Sequence, residues 1–77
     1  MSLSEAPVEV RLTIKEINSG QEAKRKLSSL GIHKDDVVIK HNDSKWGPVI
    51  LENLTVQSNK LAIGRELAKK IVVENER

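Results

Sequence analysis

The chain has 77 residues, a formal net charge of +2 and no cysteine. This length fits one domain, and without cysteine neither a disulfide framework nor a thiolate metal site is available. The balanced charges create no strong field for nucleic acid or anionic lipid, and no apolar run reaches the roughly 18 residues of a transmembrane helix. The first residues also lack the pattern of a signal peptide. We therefore expect one soluble, cytoplasmic domain over residues 1–77, with frayed ends at 1–7 and 74–77.

Residues 8–14 predict the first strand. Apolar and polar side chains alternate there, so that one face is buried and the other is solvated. The alternation shifts near Glu16, which indicates a bulge or the end of the strand. The predicted buried face consists of Val8, Val10, Leu12 and Ile14.

A helix is predicted next, between a capping box and a glycine. Ser19 is the expected N-cap, with Glu22 three residues later. Gly31 stands where a left-handed residue would end the helix, and Ile32 can then pack back onto the last turn. The expected buried stripe comprises Ala23, Leu27 and Leu30, and the expected solvent-exposed face includes Lys24, Arg25 and Lys26.

The second half of the chain predicts four short strands and one short helix. The strands are expected at residues 37–41, 49–56, 61–63 and 71–73, with the helix at 64–70. Closely spaced short strands are typical of a small barrel, because closure removes exposed sheet edges. We therefore predict a mainly β fold: a five-stranded barrel with one α-helix after the first strand and a short helix before the last.

Catalytic patterns are missing from the sequence. No serine stands at the strand-to-helix elbow of a hydrolase motif, and the four glycines are isolated rather than gathered in a phosphate-binding loop. We therefore predict that the protein is not an enzyme and that it uses no cofactor.

A metal site is an alternative interpretation of residues 33–43. The segment contains His33, Asp35, Asp36, His41 and Asp43, whose side chains suit Fe(II), Mn(II) or Zn(II). Their spacing matches no helical pair of ligands, and they fall at opposite ends of a predicted strand, roughly 13 Å apart at strand rise. Two solvated turns are the favoured interpretation.

Two surface features are candidates for contact with a partner. The single aromatic residue, Trp46, follows Lys45 in a polar loop; burial in the core is one interpretation, and a partner contact is the other, since Trp is enriched at interface hot spots. Lys24, Arg25 and Lys26 form a basic helix face. Nucleic-acid binding explains this face poorly, because single-strand recognition uses aromatic platforms.

Three blocks of sequence, LSSLGI at 27–32, GPV at 47–49 and LAIGRELAKKIVV at 61–73, occur in an order and spacing that resemble the ferrous iron transport protein A (FeoA-like) family. The similarity spans roughly residues 8–74. It implies an SH3-like small barrel, no catalytic residues, and an accessory role beside the membrane ferrous-iron transporter, which carries the GTPase. Family members commonly have a Pro-Gly turn after Leu-Gly-Ile. Lys34 and Asp35 stand there in this chain, so this turn must form differently.

The residues and the resemblance leave three functional hypotheses. The first is a non-enzymatic accessory protein of ferrous iron uptake that binds the membrane Fe(II) transporter with its GTPase domain. Such a protein would be cytoplasmic, peripheral to the inner membrane only through its partner, with no nucleic acid and no membrane insertion. The second is an SH3-like C-terminal-type domain of an iron-dependent repressor, although no helix-turn-helix precedes it in this sequence. The third is a direct divalent-metal-binding protein.

Overall fold

Five antiparallel strands form one sheet in the order β4-β3-β2-β1-β5. The computed structural model describes residues 1–18, 20–42, 46–56 and 60–75. The elements are β1 (Arg11–Ile17), α1 (Gln21–Ser29), β2 (Val37–Lys40), β3 (Val49–Asn53), β4 (Leu61–Ile63), α2 (Arg65–Ala68) and β5 (Ile71–Asn75). This order confirms the predicted succession of strands and helices.

The sheet is open, so the prediction of a closed barrel is wrong. Within the described ranges no strand pairing joins β4 to β5. The first residues of the chain instead cover the outer edge of β5: the backbone N–H of Leu3 donates to the Ile71 carbonyl oxygen at 2.8 Å, and the N–H of Val73 donates to the Met1 carbonyl oxygen at 2.8 Å. An edge strand that is covered in this way cannot pair with another chain, and closure of the sheet would have the same effect. The amino-terminal residues therefore protect the edge of β5 in place of closure.

The expectation of fraying at residues 1–7 is also wrong. Leu3 is completely buried and Ala6 nearly so, both within the hydrophobic core. Residues 74 and 75 belong to β5, so the expected fraying of the carboxyl end does not apply to them either. The last two residues lie outside the described part of the chain.

The first strand begins three residues later than predicted. Glu9 has a φ of +60°, a left-handed conformation that interrupts the extended backbone before the strand starts. Leu12 and Ile14 are buried as the alternation predicts, whereas Val10 is exposed. The predicted bulge is confirmed, because the register of β1 against β5 shifts between Ile14 and Glu16.

Helix α1 begins at Gln21 with Gly20 as its N-cap, and no side chain caps it. The predicted N-cap, Ser19, lies outside the described residues. Leu27 is buried as the stripe predicts, but Leu30 is 40% exposed. The stripe therefore ends one turn earlier than the periodicity indicates.

The carboxyl end of α1 explains the exposure of Leu30. Gly31 has a φ of +85°, its N–H donates to the Ser28 carbonyl oxygen at 3.0 Å, and the N–H of Ile32 donates to the Leu27 carbonyl oxygen at 2.9 Å. This pair of bonds is a Schellman motif, which confirms the predicted glycine stop. Because the chain reverses here, Ile32 enters the core in the place that the stripe assigned to Leu30.

The core is built almost wholly from aliphatic side chains. Every strand, both helices and the amino-terminal residues contribute to it. The buried hydrophobic residues are Leu3, Ala6, Leu12, Ile14, Leu27, Ile32, Val38, Val49, Leu51, Ile63, Ala68, Ile71 and Val73. Neither of the described helices has the length and apolar character needed to cross a membrane.

Candidate functional site

The candidate metal ligands lie at two separate places. His33 and Asp36 meet in the turn before β2, where the backbone N–H of His33 donates to Asp36 Oδ2 at 2.9 Å. His41 lies at the other end of β2, and Asp43 is outside the described residues. Over residues 1–18, 20–42, 46–56 and 60–75, no three His, Cys, Asp or Glu side chains are placed to hold a metal ion. A site combining His33 and His41 is therefore not assembled.

His41 lies between two carboxylates. Its Nδ1 is 3.2 Å from Glu9 Oε1, and its Nε2 is 3.2 Å from Glu52 Oε1. Both ring nitrogens thus face an acidic side chain, and a protonated ring donates to both. The imidazole links the segment before β1 to β3 across β2.

Residues 33–36 form the turn in which Lys34 and Asp35 stand in place of the Pro-Gly that is common in the family. The N–H of Asp36 donates to the His33 carbonyl oxygen at 3.2 Å, and Asp35 has a φ of +74°. Asp tolerates this left-handed conformation better than most residues. The N–H of Asp35 also donates to the Ile14 carbonyl oxygen at 2.8 Å, which ties the turn to β1. The turn therefore contains a left-handed residue that is not glycine.

Asn53 fixes the geometry of this region from within. Its side chain is fully buried, and Nδ2 donates to Asp36 Oδ2 at 2.8 Å and to the Gly31 carbonyl oxygen at 2.8 Å. Its Oδ1 accepts from the N–H of Thr55 at 3.0 Å. No sequence motif indicated a role for Asn53. The available signal was an amide at a position whose alternation with Val49 and Leu51 places it on the buried face.

A groove lies between α1, the end of β1 and the turn before β2. Its volume is about 460 Å³. We call it the α1–β1 groove; its lining residues are Glu16, Ile17, Lys24, Ser28, Ile32, His33 and Lys34. The two isoleucines are the least exposed of these and form the floor, while the charged and polar side chains are exposed around it. Of the predicted site residues, the groove brings together only Lys24 and His33.

Trp46 is presented to solvent, so the interpretation of core burial is wrong. Its side chain is 85% exposed. Asn42 holds the chain that follows the tryptophan: its Nδ2 donates to the Pro48 carbonyl oxygen at 3.1 Å, and its Oδ1 accepts from the N–H of Ile50 at 2.8 Å. Gly47 has a φ of +88°, which turns the chain directly after the tryptophan. Lys45 lies outside the described residues.

The basic candidates lie on α1, whereas Trp46 lies in the connection between β2 and β3. Lys24, Arg25 and Lys26 are all exposed, as the helical periodicity predicts. Their proposed role in partner contact stays a prediction. The candidate surfaces therefore belong to two different elements, the β2–β3 connection and α1.

Three solved structures illustrate what this fold is similar to. The crystal structure of an iron uptake regulatory protein (FeoA) matches with a TM-score of 0.87 and 25% identity, over 99% of this chain and 97% of that chain. A zinc-complexed FeoA from Stenotrophomonas maltophilia, described as a procaryotic SH3 domain protein, matches with a TM-score of 0.71 and 22% identity, over 100% and 96%. The manganese regulator SloR matches with a TM-score of 0.82 and 12% identity, and this chain spans 34% of it. The fold is therefore SH3-like, with an open sheet.

The comparison with curated proteins gave no match. The comparison with protein families did: the model of the FeoA domain matches residues 1–75. This range includes the three blocks that carry the resemblance, and also the amino-terminal residues that cover β5. The match extends over nearly the whole chain, and the chain accordingly belongs to the FeoA domain family.

Proposed function

We propose that this protein is a non-enzymatic, cytoplasmic accessory protein of ferrous iron uptake that acts by binding the membrane Fe(II) transporter with its GTPase domain. Family membership supports the link to iron uptake. The single observation that supports action through a protein contact is the exposure of Trp46. The chain has one aromatic residue and presents it to water instead of burying it in an aliphatic core.

A partner that covers Trp46 would remove a large apolar side chain from water. An indole buries on the order of 200 Å² when it is covered, and Trp is among the residues that most often dominate interfaces. Asn42 holds Pro48 and Ile50 by hydrogen bonds, so the chain on the carboxyl side of Trp46 loses less conformational entropy on docking. The exposed lysines of α1 supply a second candidate surface.

The proposal is tested by isothermal titration of the protein into the full-length transporter reconstituted in nanodiscs. We expect binding, and we expect Trp46→Ala to weaken it by about thirtyfold or more, the size of an interface hot spot. Val56→Ala is the matched control, because Val56 is another exposed apolar residue of the same half of the chain. Lys26→Glu tests the basic helix face separately. Absence of binding by the wild-type protein would overturn the proposed function.

A repressor-type domain is the second candidate, and the structural match to SloR is compatible with it at the level of the fold. At 12% identity that match speaks for the fold alone. Iron-dependent repressors would need a DNA-binding helix-turn-helix in the same reading frame. Sequencing the gene upstream of Met1 distinguishes the two: an in-frame helix-turn-helix would replace the transporter proposal by this one.

A direct metal binder is the third candidate. The FeoA of Stenotrophomonas maltophilia was crystallised in complex with zinc. In this chain His41 is the candidate ligand with the most acidic surroundings, since Glu9 and Glu52 each lie 3.2 Å from a ring nitrogen. Anaerobic titration with Fe(II) and with Zn(II) tests this hypothesis; heat of binding that disappears in His41→Ala would support it.

A further inference from the structure

We infer that the α1–β1 groove is the seat of an acidic segment of the transporter, with a carboxylate facing Lys24 and Lys34 and an aliphatic side chain over Ile17. This inference rests on the proposed function and names the surface and the chemistry of the partner segment. The groove was not among the surfaces that the sequence indicated, because its lining comes from three separate parts of the chain.

The size of the groove fits a short segment and not a folded domain. Its volume of about 460 Å³ is that of a site for a few side chains. Ile32 is buried and Ile17 packs against the hydrophobic core, so the floor is held in place by the fold itself. An aliphatic side chain that covers this floor removes apolar surface from water on both sides.

The charge of the lining favours an acidic occupant. Lys24 and Lys34 contribute two positive charges and Glu16 contributes one negative charge, which leaves a net charge of +1. Among the described residues neither lysine forms an ion pair with a side chain. A carboxylate can therefore approach either ammonium group without first breaking an existing pair. Glu16 opposes a second acidic group at its own side of the groove and so sets the orientation of the segment.

The polar wall of the groove is already ordered. Ser28 Oγ lies 3.2 Å from His33 Nε2, and His33 Nδ1 lies 3.5 Å from Asp36 Oδ2. The carboxylate of Asp36 favours the proton on Nδ1, which leaves Nε2 to accept from the Ser28 hydroxyl. Asn53 in turn holds Asp36 through a 2.8 Å hydrogen bond. A wall fixed in this way loses little entropy when a segment docks.

The helix places the cation and the hydroxyl on the same side. Lys24 and Ser28 are four residues apart on α1, a spacing that puts them on one face of a helix. Arg25 lies next to Lys24 in sequence but does not line the groove. Lys24 therefore differs from its basic neighbour Arg25 in facing the groove.

The test is the affinity of the double variant Lys24→Glu/Lys34→Glu for the nanodisc-reconstituted transporter. The matched control is Lys15→Glu/Lys60→Glu, which changes the net charge equally at exposed positions outside the groove. We expect the groove variant to bind at least about tenfold more weakly than the control, because each glutamate repels the partner's carboxylate where the lysine attracted it. Raising salt from about 50 mM to about 300 mM should weaken wild-type binding more than binding by the groove variant.

A second variant fills the groove without changing its charge. Ser28→Leu places an aliphatic side chain over the floor from an exposed helical position, and circular dichroism verifies that the helix is retained. We expect it also to bind at least about tenfold more weakly than wild type, because the partner's side chain is displaced. Equal affinities of wild type, groove variant and filled variant would overturn this inference and leave the proposed function intact. Loss of wild-type binding would overturn both.

Discussion

The ammonium nitrogen of Lys40 lies 2.9 Å from the carbonyl oxygen of Ala6, in the interior of the protein. Lys40 is only 1% exposed and belongs to β2, whereas Ala6 belongs to the segment before β1. The same nitrogen donates to the Ser4 carbonyl oxygen at 2.9 Å. A buried ammonium group requires such partners, because an unpaired charge in the interior is strongly unfavourable. The strand thus uses a cation to hold the amino-terminal segment.

Lys40→Met should loosen this segment. The methionine keeps most of the apolar stem but leaves the carbonyl oxygens of Ser4 and Ala6 without this donor. We expect a loss of about 1–3 kcal/mol in the free energy of unfolding, measured in urea. Faster amide exchange of Leu3, whose N–H donates to β5, should accompany it. Lys60→Met, at an exposed position, is the control; equal stability of the two variants would contradict the role of Lys40.

Leu3 and Leu30 provide a second test, because the burial of each is the opposite of what the sequence predicts. Leu3 is buried in a segment expected to fray, and Leu30 is exposed in a stripe expected to be buried. Leu3→Ala should cost about 2–5 kcal/mol through the cavity it leaves, and Leu30→Ala about 1 kcal/mol or less. Urea denaturation of both variants measures the difference. A greater cost at Leu30 would show that the amino-terminal segment is not part of the core.

The contrast between these leucines marks what the sequence can and cannot predict about the fold. Strand β4, helix α2 and the stop at Gly31 are local patterns, and each was predicted close to its observed place. Burial of Leu3 depends on its contact with β5, which lies at the far end of the chain. Exposure of Leu30 depends on the reversal that sends Ile32 inward. Local periodicity contains neither relationship.

The candidate site divides in the same way. Helical spacing correctly predicted that Lys24 faces solvent, whereas the sequence left burial and exposure of Trp46 both open. The α1–β1 groove escaped prediction because Ile17, Lys24 and Lys34 come together only when α1 packs beside the end of β1. The amide of Asn53 was likewise visible in the sequence, but its partners Gly31 and Asp36 were not.

Asp35→Gly should stabilise the protein. Asp35 has a φ of +74°, where a side chain is strained and glycine is not. We expect a gain of up to about 1 kcal/mol, reduced by the greater freedom of glycine in the unfolded chain. The N–H of residue 35 still donates to the Ile14 carbonyl oxygen in the variant. Thermal and urea unfolding measure the change.

Lys34→Gly is the control for this turn. Lys34 is exposed in the same turn, and its φ is not among the positive ones of the described residues. Glycine there should cost about 0.5–1 kcal/mol, because only the entropy of the unfolded chain changes. Opposite signs at two adjacent positions would assign the effect at Asp35 to its backbone conformation. Destabilisation by both variants would contradict that assignment.

Asn53→Leu should disturb the turn that carries His33 as well as overall stability. The substitution removes the donor of two hydrogen bonds: a buried one to Asp36 Oδ2 and a partly buried one to the Gly31 carbonyl oxygen. We expect a loss of about 2–3 kcal/mol in the free energy of unfolding, because buried polar groups are left without this partner. Asp36 then holds His33 less firmly, so amide exchange of His33, whose N–H donates to Asp36, should accelerate.

Asn42→Leu is the matched control for this last change. Among the described residues, the Asn42 side chain likewise donates to a carbonyl oxygen, that of Pro48, and accepts from a backbone N–H, that of Ile50, but it is less buried and lies at the other end of β2. It should cost about 1 kcal/mol and leave amide exchange of His33 unchanged. If both variants accelerated that exchange equally, the effect would reflect general destabilisation. Selective acceleration in Asn53→Leu would show that a buried amide on β3 orders the polar wall of the α1–β1 groove, because that wall is formed by His33 and Ser28.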